Sequence, residues 1–131
     1  MEVNDVIISL ASNDHQKKNL TEARLRLSQV LSELRFSDEL WTEPHSQKGA
    51  TPLYLNQLAF GKTHLSANEM NTWLKKTEME MGRTPKSKEL GIVSIDLDLM
   101  AHNNTRFHLN DWERPYVKDL LTQAPSTSSI N

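Results

Sequence analysis

The order of strand-like and helix-like patterns restricts the fold of this chain more than any other feature of its sequence. Four short runs have the apolar or β-branched composition of strands, at 6–11, 36–42, 53–60 and 92–100. Two longer segments carry apolar residues at helical spacing, at 20–34 and 66–81. The order β-α-β-β-α-β predicts an α+β, ferredoxin-like fold, in which one antiparallel sheet carries two helices on one face.

The two helices have different start signals. In the first, Asn19 is positioned to cap the helix, with Glu22 three residues behind it. In the second, Ser66 and Glu69 have the spacing of a capping box, and Gly82 stands where a helix-terminating residue is expected. The apolar stripe of the first helix consists of Leu20, Ala23, Leu27, Val30, Leu31 and Leu34.

The chain has the length of one domain, with 131 residues. We expect residues 1–123 to form that domain, ending in a short helix within 112–123. The polar segment 124–131 is predicted to be a disordered tail. The turn-forming segment 43–52 and the basic segment 83–91 are predicted to be loops.

Composition excludes several classes of function. The formal net charge of −2 provides no basic field for nucleic acid or for an anionic membrane. The absence of cysteine excludes disulfides, thiolate zinc sites and cysteine nucleophiles. No apolar stretch is long enough to span a bilayer, and residues 1–14 lack the basic start of a signal peptide. We therefore expect a cytoplasmic monomer without nucleic-acid or membrane partners.

Asp96 and Asp98 interrupt the apolar run SIDLDLM (94–100), although aspartate is uncommon in strands. Side chains alternate along a strand, so both carboxylates point to one face, roughly 7 Å apart. The opposite, helix-facing positions are Ile95, Leu97 and Leu99. Carboxylates at this spacing can share magnesium ions with phosphate oxygens. On spacing alone, the solvated face of a half-buried strand, without a metal, is the better explanation of the pattern.

Five short motifs occur along the chain. They are VIISLASN (6–13), WTEP (41–44), YLNQL (54–58), EMEMGR (78–83) and SIDLDLM (94–100). Together, in this order and at this spacing, they resemble the motifs of the 6-hydroxymethyl-7,8-dihydropterin pyrophosphokinase family, over about residues 5–121. That family has the ferredoxin-like fold that the periodicity predicts.

The resemblance implies an ATP-dependent transferase of folate biosynthesis. In this family the hydroxymethyl group of 6-hydroxymethyl-7,8-dihydropterin attacks the β-phosphorus of ATP, and AMP is released. By position in the motifs, Asp96 and Asp98 match the residues that hold two Mg²⁺ ions. Arg83 and Arg114 complete the set of catalytic residues that the resemblance implies.

The same resemblance implies two groups of binding residues. The pterin-binding positions are Glu43, Pro44, Tyr54, Asn56 and Tyr116. The nucleotide-binding positions are Glu78 and Arg83. Lys86 and Lys88, with Arg106, are added as candidates to replace family cations that this chain lacks. These residue types suit the roles, because an aromatic face and a fixed amide can hold a flat heterocycle, and arginine offers forked donors to phosphate.

Several of these residues also have a purely structural interpretation. Tyr54 can be a packing aromatic, Arg83 can neutralise the carbonyl end of the second helix, and Arg114 can be a solvated surface charge. Asn56 is harder to explain in this way, because a buried amide must be hydrogen-bonded. His102 and His108 have no metal-ligand partner at helical or paired spacing, and they are interpreted as surface residues unless one of them takes the place of the late histidine of the family.

The chain departs from the family pattern mainly on the phosphate side. Val93 stands where the family usually carries an arginine, and Leu90 where the loop often has a tryptophan. Ala11 replaces a glycine, and no proline-x-histidine segment is recognisable in HLNDWERP (108–115). Two hypotheses therefore stay open: an active pyrophosphokinase, and a divergent, catalytically weak homologue that binds a pterin, a nucleotide or a protein.

Overall fold

Six antiparallel strands form one sheet in the computed structural model, which describes residues 2–44 and 52–125. The strands are β1 (Asn4–Ser12), β2 (Ser32–Phe36), β3 (Leu40–Thr42), β4 (Tyr54–Thr63), β5 (Asp96–His102) and β6 (Thr105–Arg106). The helices are α1 (Gln16–Leu27), α2 (Ala67–Glu80), α3 (Pro85–Glu89), α4 (Leu109–Trp112) and α5 (Pro115–Leu121).

The sheet has the strand order β2-β4-β1-β5-β6. The short β3 pairs with the same edge of β4 as β2 does, at the start of β4. With α1 and α2, the strands β1, β2, β4 and β5 reproduce the β-α-β-β-α-β plan, so the prediction of an α+β ferredoxin-like fold is confirmed. Within the described parts of the chain, no helix has the length and apolar character needed to cross a bilayer.

The main hydrophobic core lies between the sheet and the two long helices. Ile95, Leu97 and Leu99 are buried in it, on the face that their alternation with the aspartates predicts. α1 contributes Leu20 and α2 contributes Leu74, and both are fully buried. Burying one side chain of this size stabilises the folded state by about 1.5–3 kcal/mol.

The opposite face of the sheet is only partly covered. Val117 of α5 packs in a cluster with Met100 of β5, and Leu120 packs in a cluster with Leu58 and Phe60 of β4. The short C-terminal helix predicted within 112–123 is therefore present, and it lies on the face away from α1 and α2. The part of this face near Asp96 stays open.

The first helix differs from its prediction at both ends. It begins after His15, which has left-handed backbone angles (φ 46°), and Asn19 lies inside it, donating its side-chain amide to the carbonyl of Asp14 at 2.7 Å. The prediction that Asn19 caps this helix is therefore wrong. The helix ends at Leu27, and the apolar stripe continues because Leu31, in the next turn, packs into the same core.

Three further predictions about elements are corrected. The single strand predicted at 36–42 is two strands, β2 and β3, which pair with different parts of β4. The strand predicted from position 92 begins at Asp96. The segment 83–91 is not wholly a loop, because Thr84 and Ser87 form a capping box that starts α3. The predictions for 43–52 and 124–131 fall largely on residues 45–51 and 126–131, which lie outside the described residues.

The second helix has both of its predicted ends. Ser66 accepts a hydrogen bond from the backbone of Glu69, and the Glu69 side chain accepts one from the backbone of Ser66. At the other end, Gly82 has φ +111° and donates to the carbonyl of Met79. The amide of Arg83 then donates to the carbonyl of Glu78 at 3.0 Å, which completes a Schellman turn. This turn directs the chain back past Glu78.

Candidate active site

A cleft of about 280 Å³ opens on the uncovered part of the sheet. Strands β1, β4 and β5 form its floor, and α5 and the chain after β3 form its walls. The predicted site residues that line it are Glu43, Pro44, Tyr54, Asn56, Asp96, Asp98 and Tyr116. The structure thus brings the proposed pterin side and the proposed metal side into one cleft, although their roles stay predictions.

Strand register explains why these groups meet. Ala11 of β1 lies directly opposite Asn56 of β4 on one side and opposite Asp96 of β5 on the other. Residues opposite each other across a sheet share a face, so Asn56 and Asp96 flank Ala11, with roughly 10 Å between the outer strands. Ser9 and Asp98 form the adjacent pair. The small side chain of Ala11 leaves the cleft floor open between Asn56 and Asp96.

The carboxylates at the deep end of the cleft come from two elements. Glu78 of α2 joins Asp96 and Asp98, and one carboxylate oxygen of each lies within 4.8 Å of the others. Glu78 is buried, and it accepts a hydrogen bond from the backbone N–H of Leu97 at 2.7 Å, which ties α2 to β5. Mg²⁺ takes oxygen ligands and is usually held by one or two carboxylates together with phosphate oxygens and water, so Asp96 and Asp98 fit that ion.

Crowding of the carboxylates changes the protonation of Asp96. Burial, together with the negative charges of Asp98 and Glu78, raises the pKa of Asp96 to about 6. The ammonium of Lys75 opposes this rise in pKa. A divalent cation would relieve the same repulsion, which is a physical reason for this centre to attract one.

We expect Asp96→Asn to make the metal-free protein more stable at pH 8. The pKa of Asp96 in the folded state, about 6, exceeds its ordinary value of 3.8. The contribution of Asp96 to the stability of the wild type is therefore fully present below pH 3.8 and is lost as the pH rises through 6. Because 39% of the Asp96 side chain is exposed, solvent screens this loss to about 1–2 kcal/mol. Urea unfolding with a chelator at pH 5 and pH 8 measures it. If Asp96→Asn is less stable than wild type at pH 8, the contact with Arg83 outweighs the repulsion.

The predicted cations occupy different places. Arg83 lies over the carboxylate centre, with its Nη1 3.4 Å from Glu78 Oε1 and 3.4 Å from Asp96 Oδ1. Arg114 is held by Asp111, its Nε donating to Asp111 Oδ1 at 2.9 Å, and of these two only Asp111 lines the cleft. Lys86 and Lys88 lie exposed on α3, outside the described cleft lining.

A second group of possible metal ligands was not predicted from the sequence. Asp98, His108 and Asp111 each place a ligand atom within 4.8 Å of the others, and His108 Nε2 is 3.8 Å from Asp98 Oδ1. The interpretation of His108 as lacking a ligand partner is therefore wrong, whereas His102 does face away, contacting the Leu65 carbonyl at 3.0 Å. The three-residue spacing of His108 and Asp111 at a helix start was the available signal.

A second cleft, which we call the α2–β5 cleft, lies on the other side of Asp98. It has a volume of about 590 Å³. Its lining includes Asn71, Lys75, Leu99, Arg106, Phe107 and His108. Because Lys75 and His108 both approach Asp98, this cleft adjoins the carboxylate centre from the side opposite to Asn56.

Asn13 fixes the segment that precedes the aspartate strand. Its Nδ2 donates to the Gly91 carbonyl at 2.9 Å, and its Oδ1 accepts from the Val93 backbone at 2.7 Å. Its own backbone amide donates to the Val93 carbonyl at 2.9 Å. The serine-asparagine turn after β1 thus anchors the chain that leads into Asp96.

We expect Asn13→Ala to lower the free energy of unfolding by about 1–3 kcal/mol, because it removes both side-chain hydrogen bonds of a buried asparagine, each worth about 0.5–1.5 kcal/mol. Urea unfolding measures this loss. The nearby Asn19→Ala, which removes one amide contact on α1, serves as the control and is expected to cost less. Equal losses in the two variants would contradict the anchoring role of Asn13.

Asn56 has a structural task in addition to its place in the cleft. It is 4% exposed, and its Nδ2 lies 2.8 Å from Thr42 Oγ1 and 3.0 Å from the Leu40 carbonyl. These contacts attach β3 to β4 and answer the expectation that a buried amide is hydrogen-bonded. Beside it, burial raises the pKa of the Tyr54 hydroxyl, so this group stays protonated as a donor.

The fold and the cleft define a ferredoxin-like domain in which acidic residues face an open sheet surface. The model of the 7,8-dihydro-6-hydroxymethylpterin-pyrophosphokinase (HPPK) family matches residues 7–125, so the chain belongs to this family. The chain is 31% identical to a folate synthesis bifunctional protein of Arabidopsis thaliana over 137 aligned positions. That alignment covers 97% of this chain and 28% of the plant protein, so the chain spans less than a third of that relative.

Proposed function

We propose that this protein transfers pyrophosphate from ATP to 6-hydroxymethyl-7,8-dihydropterin in folate biosynthesis. The observation that carries the proposal is the register of the central strands, which sets Asn56 and Asp96 on one face with Ala11 between them. A flat ring beside Asn56 and a metal-bound phosphate beside Asp96 would thereby be separated by roughly two strand spacings. Membership of the HPPK family supports the same reaction.

On the pterin side, polar and aromatic groups surround the cleft. Asn56 and the chain at Glu43 and Pro44 would hydrogen-bond and bound the ring edge, while Tyr54 and Tyr116 offer aromatic faces. A flat heterocycle between such faces exposes its hydroxymethyl group toward the carboxylates. This arrangement would orient the attacking oxygen before reaction, which lowers the entropic cost of the step.

On the nucleotide side, the α2–β5 cleft would receive ATP. Phe107 and Arg106 there offer surfaces for a base, and His108 stands next to Asp98, where the phosphates would pass. Arg83, with Glu78 behind it, would then face the triphosphate from the turn after α2, and Lys86 and Lys88 would approach from α3. The triphosphate would lie between the two clefts.

Charge neutralisation is the chemistry that two Mg²⁺ ions would supply when held by Asp96 and Asp98. The chain itself positions the reactants. The hydroxymethyl oxygen forms a bond to the β-phosphorus, and the bond from that phosphorus to the α–β bridging oxygen breaks. AMP leaves with the bridging oxygen, and the hydroxyl proton passes to solvent. Arg83 would stabilise charge on the moving phosphates, and Arg114 would do so only after it leaves Asp111.

AMP formation tests this function. Purified protein is incubated with ATP and Mg²⁺, with and without 6-hydroxymethyl-7,8-dihydropterin, and AMP is separated by chromatography. We expect AMP only when the pterin and Mg²⁺ are both present. If calorimetry shows pterin binding but no AMP forms at high protein concentration, the alternative is supported, namely a catalytically weak binding module. The uncharged residues Leu90 and Val93 favour this alternative.

A further inference from the structure

Lys75 of α2 lies inside the carboxylate centre. Its Nζ is 3.0 Å from Asp98 Oδ1, 2.9 Å from Glu78 Oε2 and 2.7 Å from the Leu97 carbonyl oxygen. An ammonium group has three donors, and three oxygens at these distances use them all. Lys75 thus occupies the kind of all-oxygen environment that a hard metal cation requires.

We infer that Lys75 is an exchangeable counterion of this site. In the free protein its ammonium holds the cation position at Asp98, and when a magnesium-bound nucleotide enters, it turns to phosphate oxygens. The inference rests on the proposed function for the nucleotide. It assigns a positioning residue to a place where the sequence offers no family motif, since Lys75 precedes the EMEMGR segment.

The three carboxylates of the site call for a positive charge close to them in the metal-free protein. Three carboxylates converge within 4.8 Å, and the guanidinium of Arg83 contacts two of them only at 3.4 Å. In the neighbouring segment Leu90 and Val93 are uncharged, and Lys86 and Lys88 lie exposed on α3, outside the described cleft lining. Lys75 therefore supplies close positive charge in the metal-free state. A divalent cation on the same oxygens would repel the ammonium, so the two cannot share Asp98.

The surroundings of Lys75 allow the exchange. Its side chain is 40% exposed, and it lines the α2–β5 cleft together with Asn71 and Arg106. The flexible four-carbon stem can carry the ammonium from Asp98 into this cleft while the helix backbone stays in place. A phosphate group in the cleft would meet Lys75 on one side and His108 on the other.

Two affinities of Lys75→Met test the inference, with the exposed neighbour Lys76→Met as the matched control. Calorimetric titration of MgCl₂ into metal-free protein is expected to show about tenfold tighter binding in Lys75→Met, because the competing charge is gone. Titration of α,β-methylene ATP at saturating Mg²⁺ is expected to show about tenfold weaker binding, because a phosphate contact is gone. Lys76→Met should match wild type in both.

The opposite signs make the test decisive. A lysine that only braces the site would weaken both affinities when removed, and this result would overturn the inference, as would no change in either. Lys75→Gln, which keeps a donor for the Leu97 carbonyl, repeats the test if the methionine variant does not fold. Neither titration requires turnover, so the absence of AMP formation would count against the proposed function alone. If wild type fails to bind the ATP analogue, the nucleotide half of the inference fails, while the MgCl₂ titration still decides the other half.

Discussion

Replacing Asp98 with asparagine is expected to reduce AMP formation about 1,000-fold or more. Asp98 belongs both to the group with Glu78 and Asp96 and to the group with His108 and Asp111. Asparagine keeps the shape of the side chain but removes the charge that both groups would offer a divalent cation. The rate is measured by chromatography of AMP at saturating ATP, pterin and Mg²⁺.

Asp119→Asn is the matched control for that experiment, because it makes the same chemical change at an exposed position of α5. We expect it to retain wild-type activity. Circular dichroism and the melting temperature establish that the Asp98 variant is folded. A folded Asp98→Asn protein with more than a tenth of wild-type activity would contradict the role assigned to this carboxylate.

Replacing Arg83 with methionine is expected to reduce the rate of AMP formation about 100-fold. The Schellman turn at Gly82 holds Arg83 over Glu78 and Asp96, from where its guanidinium can reach a triphosphate bound to the same carboxylates. Arg83→Lys should recover only part of the loss, because an ammonium lacks the planar fork that pairs with two phosphate oxygens.

The structural interpretation of Arg83 predicts a different result. If the arginine only neutralised the end of α2, its removal would lower the melting temperature and leave the rate of AMP formation unchanged. Arg35→Met, at an exposed position of β2, controls for the loss of a surface guanidinium. A fall in melting temperature without a fall in rate would therefore remove Arg83 from the proposed phosphate side.

Local signals determine how much of the fold the sequence predicts. The second helix is predicted at both ends because Ser66, Glu69 and Gly82 act within a few residues of the chain, through hydrogen bonds that neighbours alone decide. The aspartate strand is predicted on the correct face because alternation is a property of the backbone, and Ile95 and Leu97 confirm it.

Tertiary contacts determine the elements that were predicted wrongly. The first helix begins after His15, which has left-handed backbone angles and makes no side-chain cap hydrogen bond. Cap preference in the sequence favours Asn19 over histidine, so it predicts the wrong start. The segment 36–42 divides because Ser37 turns inward, and its hydroxyl accepts from the Leu58 backbone at 2.9 Å. A buried serine that interrupts a strand in this way depends on its partner strand, which lies about twenty residues away.

The candidate site shows the same division. Alternation and the family resemblance together predict Asp96, Asp98 and Asn56, and strand register brings them to one face. Lys75 was not predicted, because lysine three residues before Glu78 has the spacing of an ordinary surface ion pair on a helix. Only the packing of α2 on β5 shows that the pair points at Asp98.

The position of a bound divalent cation tests the central claim most directly. Crystals grown with Mn²⁺, α,β-methylene ATP and 6-hydroxymethylpterin would give an anomalous signal at each bound ion. We predict peaks about 2.1 Å from carboxylate oxygens of Asp96 and Asp98, with the pterin beside Asn56. Peaks away from both aspartates, or a ring bound outside the cleft that Asn56 lines, would contradict the account.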